Sequence, residues 1–307
     1  MRYAFVQELT ALAKKNKDII LLTGDLGFTV FEDFAKQFPK QFFNVGVAES
    51  NMIGIATGLA LSGKIVFAYS IASFATFRPF EFIRNDACLH KAPVIIVGSG
   101  AGLSYSDSGT THFAIQDIAI MRCLPNLTIF APADQIETRW ATREAIKLKS
   151  PVYLRLGKKG EPDIHRQPPS LKVGKGNFVK KGKDFVVIAT GNIVFNALEA
   201  VKILEKEGLK GSVISMHTLK PIDKKLIQKL ALTTKYLITV EEHSILGGLG
   251  GAVAEIVSQM STIKAKLLIL GLPDNFPQKL GSHTYLRDIY GLSPKKISQR
   301  IKKFLTK

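Results

Sequence analysis

The chain has 307 residues, 46% of them hydrophobic, and its 42 basic and 25 acidic residues give a formal net charge of +17. This length predicts about two domains with ordinary apolar cores. No uncharged run is long enough to cross a bilayer, and no arginine-rich arm predicts nucleic-acid binding. The N-terminus lacks the apolar run of a signal peptide, and two cysteines without disulfide or metal spacing favour a reducing cytoplasm.

Short β-rich runs alternate with helical patterns through the first half of the chain. This alternation predicts a mostly parallel sheet that is covered by helices. The predicted strands span residues 18–22, 64–69, 94–97, 127–130 and 152–156. The predicted helices lie near residues 3–15, 50–61, 79–90, 115–123 and 135–148.

A segment rich in Pro, Gly and charge at residues 158–175 interrupts the alternation and predicts a linker. We therefore predict an α/β fold with two doubly wound domains: residues 1–160, a linker over residues 161–183, and a smaller domain over residues 184–307. In the second domain, strands are predicted at 184–191, 212–215, 236–240 and 265–269, and helices at 196–207, 252–260 and 293–304.

Three polar or Gly-rich segments follow predicted strands of the first domain. They are TGDLG at residues 23–27, YSIASF at 69–74 and GSGAGLSYSDSGTTH at 98–112. In open parallel sheets, ligands bind beyond the carboxyl ends of the strands. The three segments are therefore expected to contribute to one site.

Glu49 lies at the start of an uncharged helix in NVGVAESNMIGIATG, and the next charged residue is Lys64. In apolar surroundings without a cation, a carboxyl group keeps its proton more readily, because desolvation disfavours the charged form. It could then donate or share a proton at neutral pH. The alternative is an ordinary acid that pairs with the helix dipole.

Phe74, Phe77 and Phe80 are spaced by three residues. Their rings could form a slot for a flat heterocycle, since aromatic rings stack favourably. The alternative is an ordinary stripe of core residues. Because Pro79 favours the first turn of a helix, Phe74 and Phe77 are expected on the loop before that helix.

His112 and Asp25 lie in two of the loops that follow strands. His112 could stabilise a developing oxyanion or shuttle a proton, or it could be a structural histidine bonded to backbone. Asp25 could belong to the site or could simply form a turn. The glycines at 98, 100 and 102 predict a flexible active-site loop rather than a nucleotide fingerprint, since no clear helix follows them.

Six segments, in chain order, together resemble the C-terminal half of transketolases. They are GVAESNMIGIATGLAL, SFATFRPFEFIRND, GLSYSDSGTTHFAIQD, LPNLTIFAPAD, HTLKPID and VEEHSILGGLGGAVAE. The resemblance covers essentially the whole chain. It implies a pyrimidine-binding domain followed by the family's smaller C-terminal domain.

The resemblance implies a thiamine diphosphate enzyme. Glu49 would hydrogen-bond the aminopyrimidine ring of the cofactor and promote its imino tautomer. Phe74, Phe77 and Phe80 match the family's aromatic positions around that ring, and Asp25 matches an acidic residue near the cofactor. The implied reaction is transfer of a two-carbon ketol unit from a ketose, or a ketose phosphate, to an aldose.

The resemblance also implies a set of substrate-contacting residues. His112 matches a histidine that contacts substrate hydroxyls or the carbonyl oxygen. The family usually has an Asp immediately before Gly-Pro-Thr-His, and here that place is taken by Ser108, with Asp107 one residue earlier. A phosphate-binding cation of the family corresponds to Lys158 or to Arg155.

The diphosphate-binding domain with its GDG motif is missing from this sequence. The resemblance therefore implies an N-terminal partner subunit that carries the motif and holds most of the Mg²⁺ or Ca²⁺ site, in a heterotetramer of two pairs. The alternative is a split subunit resembling deoxyxylulose-phosphate synthase or the beta subunit of a two-oxoacid dehydrogenase, acting on pyruvate or a related 2-oxo acid. We expect a cytoplasmic carbohydrate enzyme that binds neither nucleic acid nor membrane.

Overall fold

The computed structural model describes residues 1–306, and Lys307, the last residue of the predicted second domain, lies outside the described residues. The first half of the chain alternates strands with helices around one sheet. Its elements are α1 (Arg2–Ala13), β1 (Ile19–Thr23), α2 (Glu32–Gln37), β2 (Phe42–Asn44), α3 (Glu49–Leu61), β3 (Ile65–Ile71), α4 (Ala72–Phe77), α5 (Phe80–Phe82), β4 (Val94–Ser99), α6 (Asp117–Arg122), β5 (Thr128–Phe130), α7 (Gln135–Ala145) and β6 (Val152–Leu156).

The second half repeats the alternation around a smaller sheet. Its elements are β7 (Asn177–Lys180), β8 (Phe185–Ala189), α8 (Val194–Glu205), β9 (Gly211–Ser215), β10 (Thr218–Lys220), α9 (Lys224–Thr233), β11 (Tyr236–Ser244), α10 (Leu249–Val257), β12 (Lys266–Leu272), α11 (His283–Ile289) and α12 (Pro294–Leu305). Among residues 1–306, no helix combines the length and the apolarity needed to cross a membrane.

The larger sheet has seven strands in the order β10-β5-β6-β4-β3-β1-β2, and the smaller has five in the order β12-β11-β8-β9-β7. All neighbours are parallel except β10 on β5 and β7 on β9. The central strands are buried apolar runs, as expected when helices cover both faces of a parallel sheet. The predicted α/β fold with two mostly parallel sheets is confirmed.

The two halves are joined by shared packing. Strand β10 comes from the second half of the chain and extends the first sheet at its β5 edge. One apolar cluster contains buried side chains from both sheets, including Ile129 of β5 and Ile214 of β9. The two sheets therefore do not have fully separate cores.

One prediction about local structure is wrong. Phe74 and Phe77 lie on helix α4, which begins directly where β3 ends, and not on a loop. The helix predicted over residues 79–90 is a short α-helical turn, α5, followed by a wider π-helical segment over Ile83–Cys88. Segments of this wider type inside helices are frequent at functional sites.

Candidate active site

Glu49 is buried at the first turn of α3, with 2% of its surface exposed. Its Oε1 accepts a hydrogen bond of 2.9 Å from the Ser70 hydroxyl at the end of β3. Its Oε2 accepts one of 2.8 Å from Nη1 of Arg78, which follows α4. Three elements thus meet at one carboxylate.

The prediction that Glu49 lies in apolar surroundings without a nearby cation is wrong. Arg78 lies 29 positions away in sequence, but its guanidinium forms an ion pair with the carboxylate. A buried charge is costly unless it is paired and hydrogen-bonded, and Glu49 has both a cation and a hydroxyl donor. The sequence distance to Lys64 therefore says nothing about the electrostatics of this site.

Phe74 connects Glu49 to the loop that contains His112. The guanidinium carbon of Arg78 lies 3.9 Å from the centroid of the Phe74 ring, a cation–π contact. The other neighbour of that ring is His112, at 5.0 Å between centroids and in an edge-to-face orientation. Carboxylate, cation, arene and imidazole therefore form one continuous row.

Phe77 and Phe80 are placed differently from Phe74. The Phe77 side chain is 40% exposed, and Phe80 packs partly against the apolar core. Within residues 1–306, no ring-to-ring contact joins the three phenylalanines to one another. The role expected for the three as a slot stays a prediction, and only Phe74 contacts both Arg78 and His112.

The loop over residues 98–112 continues the row toward Lys158. The ring of Tyr105 lies 6.0 Å from that of His112 and 4.2 Å from the Lys158 ammonium. Asp107 accepts from Lys158 at 3.3 Å and from the Ser108 hydroxyl at 3.4 Å. A hydrogen bond from its own backbone N–H and the Lys158 ammonium lower the pKa of Asp107.

Arg155 is bonded to buried partners. Its guanidinium is buried, donating to Asp117 at 2.7 Å and to the carbonyls of Ala114 and Glu242 at 2.9 and 3.2 Å. Those bonds connect β6 to β11 of the second half. A cation committed to such buried partners is not available to a substrate, so the geometry favours Lys158 for the role that either residue was expected to fill.

Asp25 lies at the other end of the site. It has a left-handed backbone conformation (φ 56°), and its carboxylate accepts a hydrogen bond of 2.9 Å from Asn44. It lines a cavity of about 230 Å³ together with Phe28 and Phe31. The preceding residue, Gly24, approaches Glu49, since a Cβ built there would lie 3.6 Å from Oε1.

Comparison with known families identifies the family of this chain. The family model "Transketolase, pyrimidine binding domain" matches residues 1–161, and "Transketolase, C-terminal domain" matches residues 174–297. The chain belongs to the transketolase family. It is a transketolase-type transferase subunit, and membership of this family implies dependence on thiamine diphosphate.

The relatives of this transketolase chain include proteins of the same length. It is 41% identical to a Methanocaldococcus jannaschii protein provisionally named a transketolase C-terminal section, over 98% of the chain and 95% of that protein. It is 35% identical to one subunit of the apulose-4-phosphate transketolase from Phocaeicola vulgatus, over 100% of the chain and 97% of that subunit. Such split relatives imply an N-terminal partner subunit.

Longer proteins match as well. The 1-deoxy-D-xylulose-5-phosphate synthase of Dictyoglomus turgidum is 39% identical over 87% of this chain but only 43% of the synthase. Among solved structures, one described as "split gene transketolase, inactive beta4 tetramer" superposes with a TM-score of 0.89 at 41% identity, covering 99% of this chain and 98% of that one.

Three side chains that contact the predicted site residues were missed from the sequence. Ser70 and Arg78 bind the Glu49 carboxylate, and Tyr105 bridges His112 and Lys158. Ser70 and Tyr105 lie in two of the segments that follow strands, so their position was a usable signal. Arg78 lies in the segment SFATFRPFEFIRND, but nothing in the sequence connects it to Glu49, which lies 29 positions earlier.

Proposed function

We propose that this chain binds the aminopyrimidine end of thiamine diphosphate and that, with an N-terminal subunit, it transfers a two-carbon ketol unit from a ketose to an aldose. The observation that carries the proposal is the buried Glu49 carboxylate, which faces a planar hydrogen-bond donor stacked on Phe74. A flat aminopyrimidine whose ring nitrogen carries a proton has the same requirements as that guanidinium. The residues present therefore fit an aminopyrimidine.

The bound cofactor would supply a carbon nucleophile and an electron sink for cleaving the bond beside a carbonyl. Glu49 would hold a proton at the ring nitrogen of the aminopyrimidine, and the Ser70 hydroxyl fixes the direction of its carboxylate. Phe74 would pack against the ring, with Phe77, Phe80 and Asp25 near it. His112 would donate a hydrogen bond to the substrate oxygen on which negative charge develops.

The diphosphate end of the site would come from another chain. Residues 1–306 contain no group of three or more His, Cys, Asp or Glu side chains arranged to hold a metal ion. Mg²⁺ is bound through carboxylates together with substrate phosphates, and Ca²⁺ also takes oxygen ligands. An N-terminal subunit with a GDG motif would hold the ion, in a heterotetramer of two pairs. The inactive β4 tetramer of the split-gene relative agrees with a chain that needs such a partner.

The substrate would carry an anionic tail. Lys158 and Lys159 line a cavity of about 330 Å³ together with Asp107, Ser106 and His283. The names of two relatives contain a sugar phosphate, apulose 4-phosphate in one and 1-deoxyxylulose 5-phosphate in the other. Lys158 would bind the anion, and Asp107 and Ser108 would contact substrate hydroxyls near it.

A second candidate is chemistry of the deoxyxylulose-phosphate synthase type, in which pyruvate is the donor. It is favoured by the 39% identity to the Dictyoglomus turgidum synthase. The same mixture of proteins tests both candidates, because the two donors differ. Ketose cleavage supports the first, and decarboxylation of pyruvate supports the second.

The test is to co-purify the chain with an N-terminal diphosphate-binding transketolase subunit from the same organism, and to assay phosphorylated ketoses, free ketoses and pyruvate with thiamine diphosphate and Mg²⁺. We expect ketol transfer from phosphorylated ketoses only in the complex. Glu49→Ala should abolish it without unfolding the chain, while Glu199→Ala, which removes an exposed ion pair with Lys202, should have no effect. Activity of the chain alone, or of Glu49→Ala, would refute the proposal.

A further inference from the structure

The guanidinium of Arg78 bonds the Glu49 carboxylate and covers one face of the Phe74 ring. It donates to Oε2 at 2.8 Å, and its central carbon lies 3.9 Å from the Phe74 centroid. The side chain is 46% exposed, while that of Glu49 is 2% exposed. One end of this ion pair is therefore fixed in the protein, and the other reaches in from solvent.

A guanidinium and an aminopyrimidine present similar features to these two residues. Both are flat and both stack on an aromatic ring. An aminopyrimidine that carries a proton on its ring nitrogen also presents an N–H donor to Glu49, as the guanidinium does. The face of Phe74 that the Arg78 guanidinium covers cannot at the same time stack on the ring of the cofactor. A cofactor ring that packs on this face beside Glu49 therefore displaces Arg78.

We propose that Arg78 is an internal substitute for the aminopyrimidine, which pairs with Glu49 in the free subunit and swings out when the cofactor binds. The inference rests on the proposed function, since it takes Glu49 as the partner of the cofactor. Without Arg78, the free subunit would keep a buried carboxylate with a single donor, which is costly. Arg78 removes that cost and in return competes with the cofactor.

The structure also explains why Arg78 can leave. Water solvates the departing guanidinium, since the Arg78 side chain is already half in solvent, and the cofactor would replace it as the donor to Glu49. The other polar contact of Arg78 is made by its backbone carbonyl, which accepts a hydrogen bond of 3.2 Å from the Ser50 hydroxyl. A swing of the side chain leaves that contact in place, so α3 and α4 need not move.

The test is a titration of thiamine diphosphate, with Mg²⁺ present, into the complex of this chain and its diphosphate-binding subunit, followed by calorimetry. Arg78→Leu and Arg78→Ala should each lower the Kd about tenfold, because the competitor is gone. Arg78→Lys keeps the charge but loses the flat face, and its Kd should lie between. Arg84→Leu is the matched control, since Arg84 is exposed and donates to its neighbour Asn85 at 2.6 Å.

An unchanged or higher Kd in Arg78→Leu and Arg78→Ala would overturn the inference. An unchanged Kd would mean that Arg78 has no effect on cofactor binding, and a higher Kd would mean that Arg78 helps to bind the cofactor. If the wild-type complex binds no thiamine diphosphate at all, both the inference about Arg78 and the proposed function fail. Thermal unfolding of the isolated chain is a readout without cofactor. Arg78→Leu should lower the Tm of the otherwise wild-type chain, and it should lower the Tm of the Glu49→Gln chain by less. Equal decreases in Tm in both chains would count against an ion pair between Arg78 and Glu49.

Discussion

At the scale of single residues, the orientation of the Glu49 carboxylate depends on two donors that enter from different directions. The Arg78 side chain is 46% exposed, whereas Ser70 is fully buried at the end of β3. If Arg78 gives way to a ligand, the Ser70 hydroxyl remains the fixed donor, 2.9 Å from Oε1. Ser70 is therefore a positioning residue that acts through Glu49.

Ser70→Ala removes this fixed donor. We expect the free energy of unfolding to fall by about 1–3 kcal/mol, because a buried acceptor loses its partner. We also expect kcat/KM of the reconstituted enzyme to fall about tenfold or more, since the carboxylate can rotate. Denaturant unfolding and steady-state kinetics measure the two effects. Ser62→Ala, at the exposed end of α3, is the control, and equal behaviour of the two variants would rule out the positioning role.

The residues of the site differ in how far the sequence predicted them. Glu49, Phe74 and His112 stand out from the sequence because each lies in an uncharged or Gly-rich segment next to a strand. Arg78 could not be found in this way, since the local sequence around Glu49 contains no cation. Its contact depends on tertiary packing, and that packing reverses the electrostatic surroundings that were expected for Glu49.

At the scale of elements, the position of α4 decides where Phe74 and Arg78 lie. This helix turns back directly after β3 and packs against β4. Gly98 on β4 makes the close approach possible, since a Cβ built there would lie 3.0 Å from Cα of Ala72 and 2.8 Å from the Tyr153 hydroxyl. Because Gly98 has no side chain, α4 can pack close to β4. This packing places Phe74 and Arg78 at the site.

Gly98→Ala should displace α4 and lower the free energy of unfolding by about 1–3 kcal/mol, as expected for overpacking. Gly58→Ala is a matched control on α3, where a Cβ would meet no atom within 4 Å. That change should instead stabilise the isolated chain by about 0.4–1 kcal/mol, because it restricts the unfolded state. Urea unfolding of both variants measures these effects, and a neutral Gly98→Ala would show that α4 is not held by this contact.

The elements also show what limits prediction from sequence. Most long helices and buried strands lie within a few residues of their predicted bounds, because their apolar patterns are strong. Helix α9 was missed although it has ten residues. Strands β2, β7 and β10 and helices α2, α4 and α11 were also missed, and each of these has only three to seven residues. Their conformation is set by the sheet edge or the neighbouring helix against which they pack.

At the scale of the whole molecule, buried charges join the two halves. Glu242 on β11 accepts hydrogen bonds from the backbone of Leu103 at 2.7 Å, from Arg287 at 2.5 Å and from His283 at 2.8 Å. Burial alone would raise the pKa of Glu242, but the charges of Arg287 and His283 outweigh it and hold the pKa well below its usual range. This carboxylate thus stays charged and keeps the loop with Leu103 fixed to the second half.

Glu137 is a second buried acid between the halves, and its pKa is shifted in the opposite direction to that of Glu242. Its Oε2 accepts from the backbone of Ala133 at 2.8 Å and from Ser215 of β9 at 3.1 Å. Burial and the nearby charge of Asp134 raise its pKa to about 7, although His165 lies 3.8 Å from Oε1. The folded chain therefore binds a proton that the unfolded chain releases above its ordinary pKa of 4.5.

This raised pKa predicts that Glu137 stabilises the chain most at low pH and that the stabilisation is lost as pH rises toward about 7. Glu137→Gln cannot ionise, so between pH 5 and 8 its stability should fall less than that of the wild type, by up to about 3 kcal/mol. The pKa of His165 is also raised, so its contribution to stability is likewise lost as pH rises. The stability of Glu137→Gln should therefore still fall somewhat with pH. Urea unfolding at several pH values measures the slopes, with Glu144→Gln on the same helix as control. Parallel curves for Glu137→Gln and wild type would mean that Glu137 is already ionised across this range.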